Sequence, residues 1–437
     1  MSREIPTDVN LRELHFSNPD RYPFLLQSTA SDTALGRFDL LLAFPGRQLI
    51  ADERRATGGF LNALDSWWQS ERISATDSRL PFHGGWFIYL GYELADEIEP
   101  TLQLREDPLL PRAFAVRCPA AVIRDHSNAK NYVVCESMSA NFLETLIGDV
   151  ASLRPGSASV PTEASAGGEI VEEDEVLFLA AVQRAKQHIA AGDIFQANLS
   201  RGWSAVTKLS SSEVYERLAA ANPAPFAGSA KWRDKWIISS SPERLLEIRD
   251  RIASTRPIAG TRPRATELDQ DQYLSAELIA HPKERAEHVM LIDLERNDLG
   301  RICEAGSVEV NEMMILESYA HVHHIVSNVR GRLRRDVTPG MAMRAVFPGG
   351  TITGCPKVRC MEIIGELEST PRGAYTGSFG YLNRDGSLDL NILIRTMIMN
   401  GSSIQLRAGA GIVADSEATA ELAETRAKAK GLLEALT

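Results

Sequence analysis

The chain has 437 residues, 44% of them hydrophobic and 24% charged, and carries a net charge of −11. That composition belongs to a folded globular protein rather than a disordered one, and the length exceeds the ~250–300 residues at which a single core usually divides. An acidic chain with no run of Lys or Arg is unsuited to nucleic acid or an anionic membrane, so an anionic ligand would need a local basic pocket or a metal ion.

No apolar run approaches ~18 residues, and the opening MSREIPTDVNLREL is too polar for a secretory signal. The five cysteines, Cys118, Cys135, Cys303, Cys355 and Cys360, are scattered without CxxC spacing, as reduced thiols would be. The cytoplasm is the expected location.

In chain order, FDLLLAFP (38–45), GGWFIYLGYEL (84–94) and NYVVCESM (131–138) read as β-rich stretches, with a helix at LNALDSWWQS (61–70). Residues 1–153 are therefore expected to form an α+β region. RPGSASVPTEASAGGE (154–169) lacks any apolar period and reads as a linker or long surface loop, placing a boundary at 154–173 ahead of a second region, 174–437. EVLFLAAVQRAKQHIAAG then predicts a helix closed by Gly192. In the strand IFQANLSRGW, Phe195, Ala197 and Leu199 alternate with Gln196, Asn198 and Ser200, which predicts one core face and one polar face. Further strands are predicted at 235–241, 244–250, 377–383, 388–399 and 403–413, and helices over about 282–297, 356–368 and 418–436. Turns such as NRDGS and MNGSS imply hairpins and antiparallel sheets.

Several stretches carry groups with chemical potential. STRPIAGTRPR (254–264) sets Arg256, Pro257, Gly260, Thr261 and Arg262 around Ala259, and reads either as a turn presenting backbone to an anion or as a plain surface turn. Glu284 and Glu287 share a helix face, as do Glu421, Glu424 and Lys428. Carboxylates from two helices can hold Mg²⁺, while i,i+4 ion pairing on a solvated face is the alternative. FPGGTITGCPK (347–357) fails the P-loop pattern, but Pro356 in a first helical turn would leave amides near Thr353 and Gly354 for a carboxylate; an ordinary helix-opening turn is the other reading. His321, His323 and His324 lack matched zinc ligands, and one of them is expected to donate a hydrogen bond. Glu243 follows an apolar strand, where burial would raise its pKa for acid catalysis unless it pairs with Arg244.

Ten segments in this order, GDIFQANLSR, SSSPERLL, RPIAGTRPR, KERAEHVMLIDLERNDLGR, HVHHIVS, FPGGTITGCPK, GAYTGSFGYLN, LNILIRT, RAGAGIVADS and ELAETRAKA, resemble the chorismate-utilising enzymes across residues 174 to 437. The resemblance implies an α/β fold of the α+β kind, two-lobed, with large antiparallel β-sheets packed together and helices outside. It also implies Mg²⁺-dependent chemistry on chorismate. By the same resemblance, Glu287 and Glu424 are Mg²⁺ ligands, with Glu284 and Glu421 in the water-mediated shell. Glu243 is the acid that protonates the departing C4 hydroxyl. Tyr375, Arg395, the Gly409, Ala410 and Gly411 amides and Lys428 hold carboxylates, and Thr351 and His324 lie around the ring.

Members that add water carry a lysine base where this chain has Gln196, and a neutral amide cannot deprotonate water. The resemblance therefore points to the aminating branch, the anthranilate and aminodeoxychorismate synthases, which take ammonia from a separate glutamine amidotransferase. A partner of that kind is expected. Ala259 in PIAGT favours anthranilate, because aminodeoxychorismate synthases usually carry there a lysine that attacks C2. GRFDLLLAFP, GGWFIYLGYEL, QANLS, SPERLLEI, PGGTITG and TGSFGYLNRDGSLDLNILIRT resemble the aminodeoxychorismate synthases instead. Gln27 in YPFLLQS also replaces the acidic residue of feedback-regulated anthranilate synthases. The larger set leads to the expectation of 4-amino-4-deoxychorismate, made for 4-aminobenzoate and folate biosynthesis.

Overall fold

The computed structural model describes residues 1–5, 9–30, 36–51, 58–74, 79–137, 140–153, 168–265, 267–318 and 322–437. The stretch 154–167 of the expected linker, and His321, lie outside the described residues.

Every strand pairing in the two large sheets is antiparallel. One sheet runs from Ser2–Ile5 through Lys130–Cys135, Ala120–Asp125, Phe38–Ala43, Phe24–Gln27, Phe226–Trp232, Lys235–Ser241, Thr396–Asn400, Ser403–Ile412 and Gln196–Val206 to Gly354–Cys355. The other runs from Ile258–Pro263 through Val322–Arg332, Ile252–Arg256, Arg244–Arg249, Leu388–Asn391, Ser378–Asn383, Gly85–Leu90 and Ala113–Cys118 to Gln48–Ile50. Ile170–Glu172, inside the expected 154–173 boundary segment, pairs with Trp203–Ala205 of the first sheet. Both sheets take strands from either side of residues 154–167.

The inner faces are joined by aromatic side chains. Phe24 of the first sheet stacks on Phe87 of the second, and Trp232 on Phe114, each with ring centroids 3.8 Å apart. The outer face of the first sheet packs under helices Leu11–Ser17, Ala140–Ser152, Ser211–Ala221 and Ala418–Glu434, and that of the second under Gly59–Glu71, Pro282–Gly300 and Pro339–Val346. Among the described residues, no helix is long and apolar enough to cross a membrane.

Three sequence expectations need correction. The stretch 388–399 is not one strand: Leu388–Asn391 belongs to the second sheet and Thr396–Asn400 to the first, and Arg395 sits in the crossing with φ 53°. A positive φ at a non-glycine residue cannot be read from hydropathy. The strand at 196 also departs from simple alternation, because Gln196, Asn198 and Ser200 are all buried while Phe195 is 69% exposed. Its polar face is turned into the protein. Pro356, finally, is the N-cap of helix Lys357–Leu367 rather than a residue of its first turn. Thr353 donates its amide to Gly350 O (3.3 Å) and its hydroxyl to Gly349 O (2.9 Å), so it offers no anion cradle.

Removing a stacked ring should show how far the two sheets depend on their shared interior. Trp232→Ala is expected to cost ~3–5 kcal/mol, read as a lowered urea midpoint with an unchanged slope; a midpoint equal to wild type would show that the stack contributes nothing.

Candidate active site

The floor of the site is the ladder between Gln196–Val206 and Ser403–Ile412, in which Asn198 faces Gly411 and Ser200 faces Gly409. Asn198 sends its amide away from that ladder to Thr353 O (2.8 Å), so these are the non-hydrogen-bonded pairs of the antiparallel pattern. It follows that the amides of Gly409 and Gly411 point to the opposite edge, beyond the last residue paired with Thr396–Asn400, whereas Ala410 turns its amide into the ladder. The carbonyl of Gly409 on that edge accepts from Lys428 Nζ (3.0 Å). Side chains cannot be accommodated here: a Cβ on Gly409 would lie 2.6 Å from Tyr375 Oη and 2.8 Å from Asn198 Oδ1, and one on Gly411 would lie 2.5 Å from Gln196 Nε2. Gly354, at φ 136°, has the same tightness, with Gln196 O 2.1 Å from its notional Cβ.

Arg395 reaches the site from the crossing between the sheets. It donates to Asn222 Oδ1 (3.2 Å), and among the described residues no carboxylate pairs with it. Burial pulls its guanidinium below the ordinary arginine value, with Tyr375 acting in the opposite sense. A desolvated cation without a counter-ion is costly, and a ligand carboxylate would supply the missing partner.

Glu243 lies on the other side. Its neighbour Arg244 is taken by Asp389 (both contacts 2.9 Å) and Glu247 (3.2 Å), so the expected alternative of a Glu243–Arg244 pair does not form. Burial pushes the Glu243 carboxyl up to about 8; the Glu295 charge adds to the rise, while the Thr351 hydroxyl, the Ile258 amide and Lys428 pull it part of the way back. At neutral pH it holds a proton. Among the described residues, Gln196 Oε1 and Asn198 Oδ1 are buried atoms without a hydrogen-bond partner. Buried polar atoms are usually paired, and these two side chains lie beside Gly411 and Gly409 on the floor strand.

The stretch STRPIAGTRPR (254–264) is not an anion-binding turn. Residues Ile258–Pro263 form a strand pairing Ala259 with Ile325 and Thr261 with His324. Its arginines are consumed internally: Arg256 by Glu312 and Glu317, Arg262 by Glu277 (2.7 Å) and Glu284 (3.2 Å), Arg264 by Asp271 (2.9 Å). Ala259 is buried and adjoins the residue whose amide faces Glu243. Gly260 (φ 66°) is required, because a Cβ there would meet Glu284 Oε2 at 2.8 Å. His324 Nδ1 sits 3.0 Å from Thr261 Oγ1 and 3.3 Å from Gly260 O, and burial lowers its pKa to about 4, which keeps it neutral. His323 is bound to Ser318 and Asp271 instead.

The four candidate metal ligands supply carboxylate oxygens, the donor type that Mg²⁺ takes at about 2.1 Å. Among the described residues, however, no three His, Cys, Asp or Glu side chains gather closely enough for one ion. Glu424, half exposed, pairs with Lys428 (2.7 Å), and Glu284 with Arg262 (3.2 Å). Glu421 is buried and Glu287 partly so. The donor chemistry fits, and ion pairs occupy two of the four.

Asn198, Glu295 and Arg372 were not singled out by sequence. The alternation that set Asn198 beside Gln196 was the available signal for the first.

A buried protonated acid, an arginine with no carboxylate partner among the described residues and strand amides that point off the ladder are groups suited to holding a small anion. The chain belongs to the chorismate binding enzymes, whose family model matches residues 23–434. It is 43% identical to the anthranilate synthase component I-like protein of Synechocystis over 92% of this chain and 83% of that one. It is 38% identical to aminodeoxychorismate synthase component 1 of Bacillus subtilis over 87% and 82%. The crystal structure of anthranilate synthase component I from Streptococcus pneumoniae superposes with a TM-score of 0.81 at 32% identity, covering 92% of this chain and 93% of that one. The protein is thus a chorismate-utilising enzyme of the anthranilate synthase and aminodeoxychorismate synthase family.

If Glu243 acts as the acid, turnover at constant free ammonia should fall about tenfold per unit as pH rises above about 8, where the carboxyl loses its proton. Glu243→Gln should lower kcat by ~10²–10⁴ and remove that limb. A wild-type rate that stays flat across the range would sink the assignment.

Proposed function

We propose that the protein is the chorismate-converting component of an aminodeoxychorismate synthase, aminating chorismate to 4-amino-4-deoxychorismate with ammonia from a glutamine amidotransferase partner. The observation that carries this reading is the stretch TGSFGYLNRDGSLDLNILIRT. It resembles the C4-aminating enzymes, and it is the segment that crosses between the sheets to bring Arg395 to the site. Gln27 supports it: an uncharged amide stands where feedback-regulated anthranilate synthases carry an acid, and it is engaged internally, Nε2 donating to Asp39 (3.0 Å) and Oε1 accepting from Arg12 (2.8 Å) and Tyr215 (3.1 Å).

In this reading Arg395, Lys428 and the Gly409 and Gly411 amides hold the carboxylates. Tyr375 joins them in holding the carboxylates, Thr351 and His324 border the ring, and Glu243 gives its proton to the departing C4 hydroxyl, which leaves as water. Gln196, an uncharged amide, leaves ammonia rather than water as the nucleophile. Mg²⁺, held by Glu287 and Glu424 with Glu284 and Glu421 behind them, would offset carboxylate charge. Ala259 can form no lysyl adduct, so ammonia either displaces at C4 directly or follows a small nucleophile added at C2.

Anthranilate is the second reading, favoured by Ala259 itself and by the names of several relatives. Incubation with chorismate, Mg²⁺ and ammonium followed by aminodeoxychorismate lyase separates the two. Formation of 4-aminobenzoate is expected, and fluorescent anthranilate made without the lyase would overturn the proposal. Glu287→Gln and Glu424→Gln should each abolish Mg²⁺-dependent turnover; wild-type rates in either would refute their role as ligands.

A further inference from the structure

Arg372 is among the most deeply buried charges in the protein, and no role in the reaction has been assigned to it above. Its side chain is 1% exposed. The guanidinium donates to both oxygens of Glu368 (2.7 and 3.0 Å), to Asn198 O (2.6 Å), to Ile352 O (3.2 Å) and to Thr376 Oγ1 (3.3 Å). It lies against the ring of Tyr92 at 4.8 Å and that of Tyr375 at 5.6 Å. Its own amide and that of Gly373 are held by Glu93 Oε1 (2.8 and 3.0 Å). Glu368 in turn binds the Ser200 amide (2.8 Å) and hydroxyl (2.9 Å) and Arg407 (3.3 Å).

The acceptors are informative because of where they fall. Asn198 belongs to the floor strand, Ile352 follows Thr351, and Tyr375 leans over Gly409. One planar fork therefore ties together three chain segments that reach the site from separate parts of the sequence. A buried ion pair gains little net stability over an apolar replacement, so stability alone does not explain a charge in this place. Geometry does, since five rigid donors can fix several carbonyls at once in a way that a lysine ammonium cannot.

We propose that Arg372 is a positioning residue for the substrate site, setting the Tyr375 ring and the Asn198 and Thr351 segments in register with one another through its fork. This rests on the reading that Tyr375 borders the bound substrate. The test is a double-mutant cycle on chorismate affinity, measured by calorimetry on the full chain well below its melting temperature and supplemented by chorismate consumption, whichever product forms. Arg372→Lys should weaken binding ~30-fold and Tyr375→Phe ~10-fold. Together they should weaken it by no more than about twofold beyond Arg372→Lys alone, because the ring is already misplaced. A multiplicative ~300-fold loss, or wild-type affinity in Arg372→Lys, overturns the proposal. Wild-type affinity in Tyr375→Phe alone overturns the placing of Tyr375 at the substrate, and this role for Arg372 with it. Should Arg372→Lys fail to fold, Glu368→Gln loosens the same fork and carries the same cycle with the same two outcomes.

Discussion

A charge taken out of water must be matched, and the interior of this protein obeys that constraint almost everywhere. Arg372 meets Glu368, Arg244 meets Asp389, and Lys357 meets Asp298. Two departures from it bear on the candidate site. Arg395 has only an amide oxygen for company among the described residues, and Glu243 avoids the cost of ionisation by keeping its proton. An anionic ligand able to accept a proton would complement both departures.

Much of the fold was legible in the sequence because its strands alternate and its turns carry Asn, Asp and Gly. The hairpins at Ser378–Asn383 and Ser403–Ile412 lie close to where the patterns put them. What the patterns missed was context. Gln196, Asn198 and Ser200 look solvent-facing because they are polar, yet they are buried against the segments that build the site. The stretch 388–399 looks like one strand because every residue suits a strand; the break at Arg395 is a backbone dihedral with no signature in side-chain polarity.

The site itself was legible only as a family pattern. Helical spacing paired Glu284 with Glu287 and Glu421 with Glu424, but spacing alone could not show that Arg262 and Lys428 already engage two of them. STRPIAGTRPR read as a cationic turn because its arginines are conspicuous in the sequence, and their acidic partners lie 7 to 61 residues away. Arg372 stayed hidden for a related reason: in PRG it resembles a surface turn, and two of its four acceptor residues, Ile352 and Asn198, lie 20 and 174 residues away.

The interleaving of strands has a consequence for how the polypeptide can be divided. Each sheet needs strands from before residue 154 and after residue 167, so a chain cut between those points would give two fragments, neither able to complete a sheet. Such pieces would regain structure only on meeting each other, as complementing halves of one folding unit.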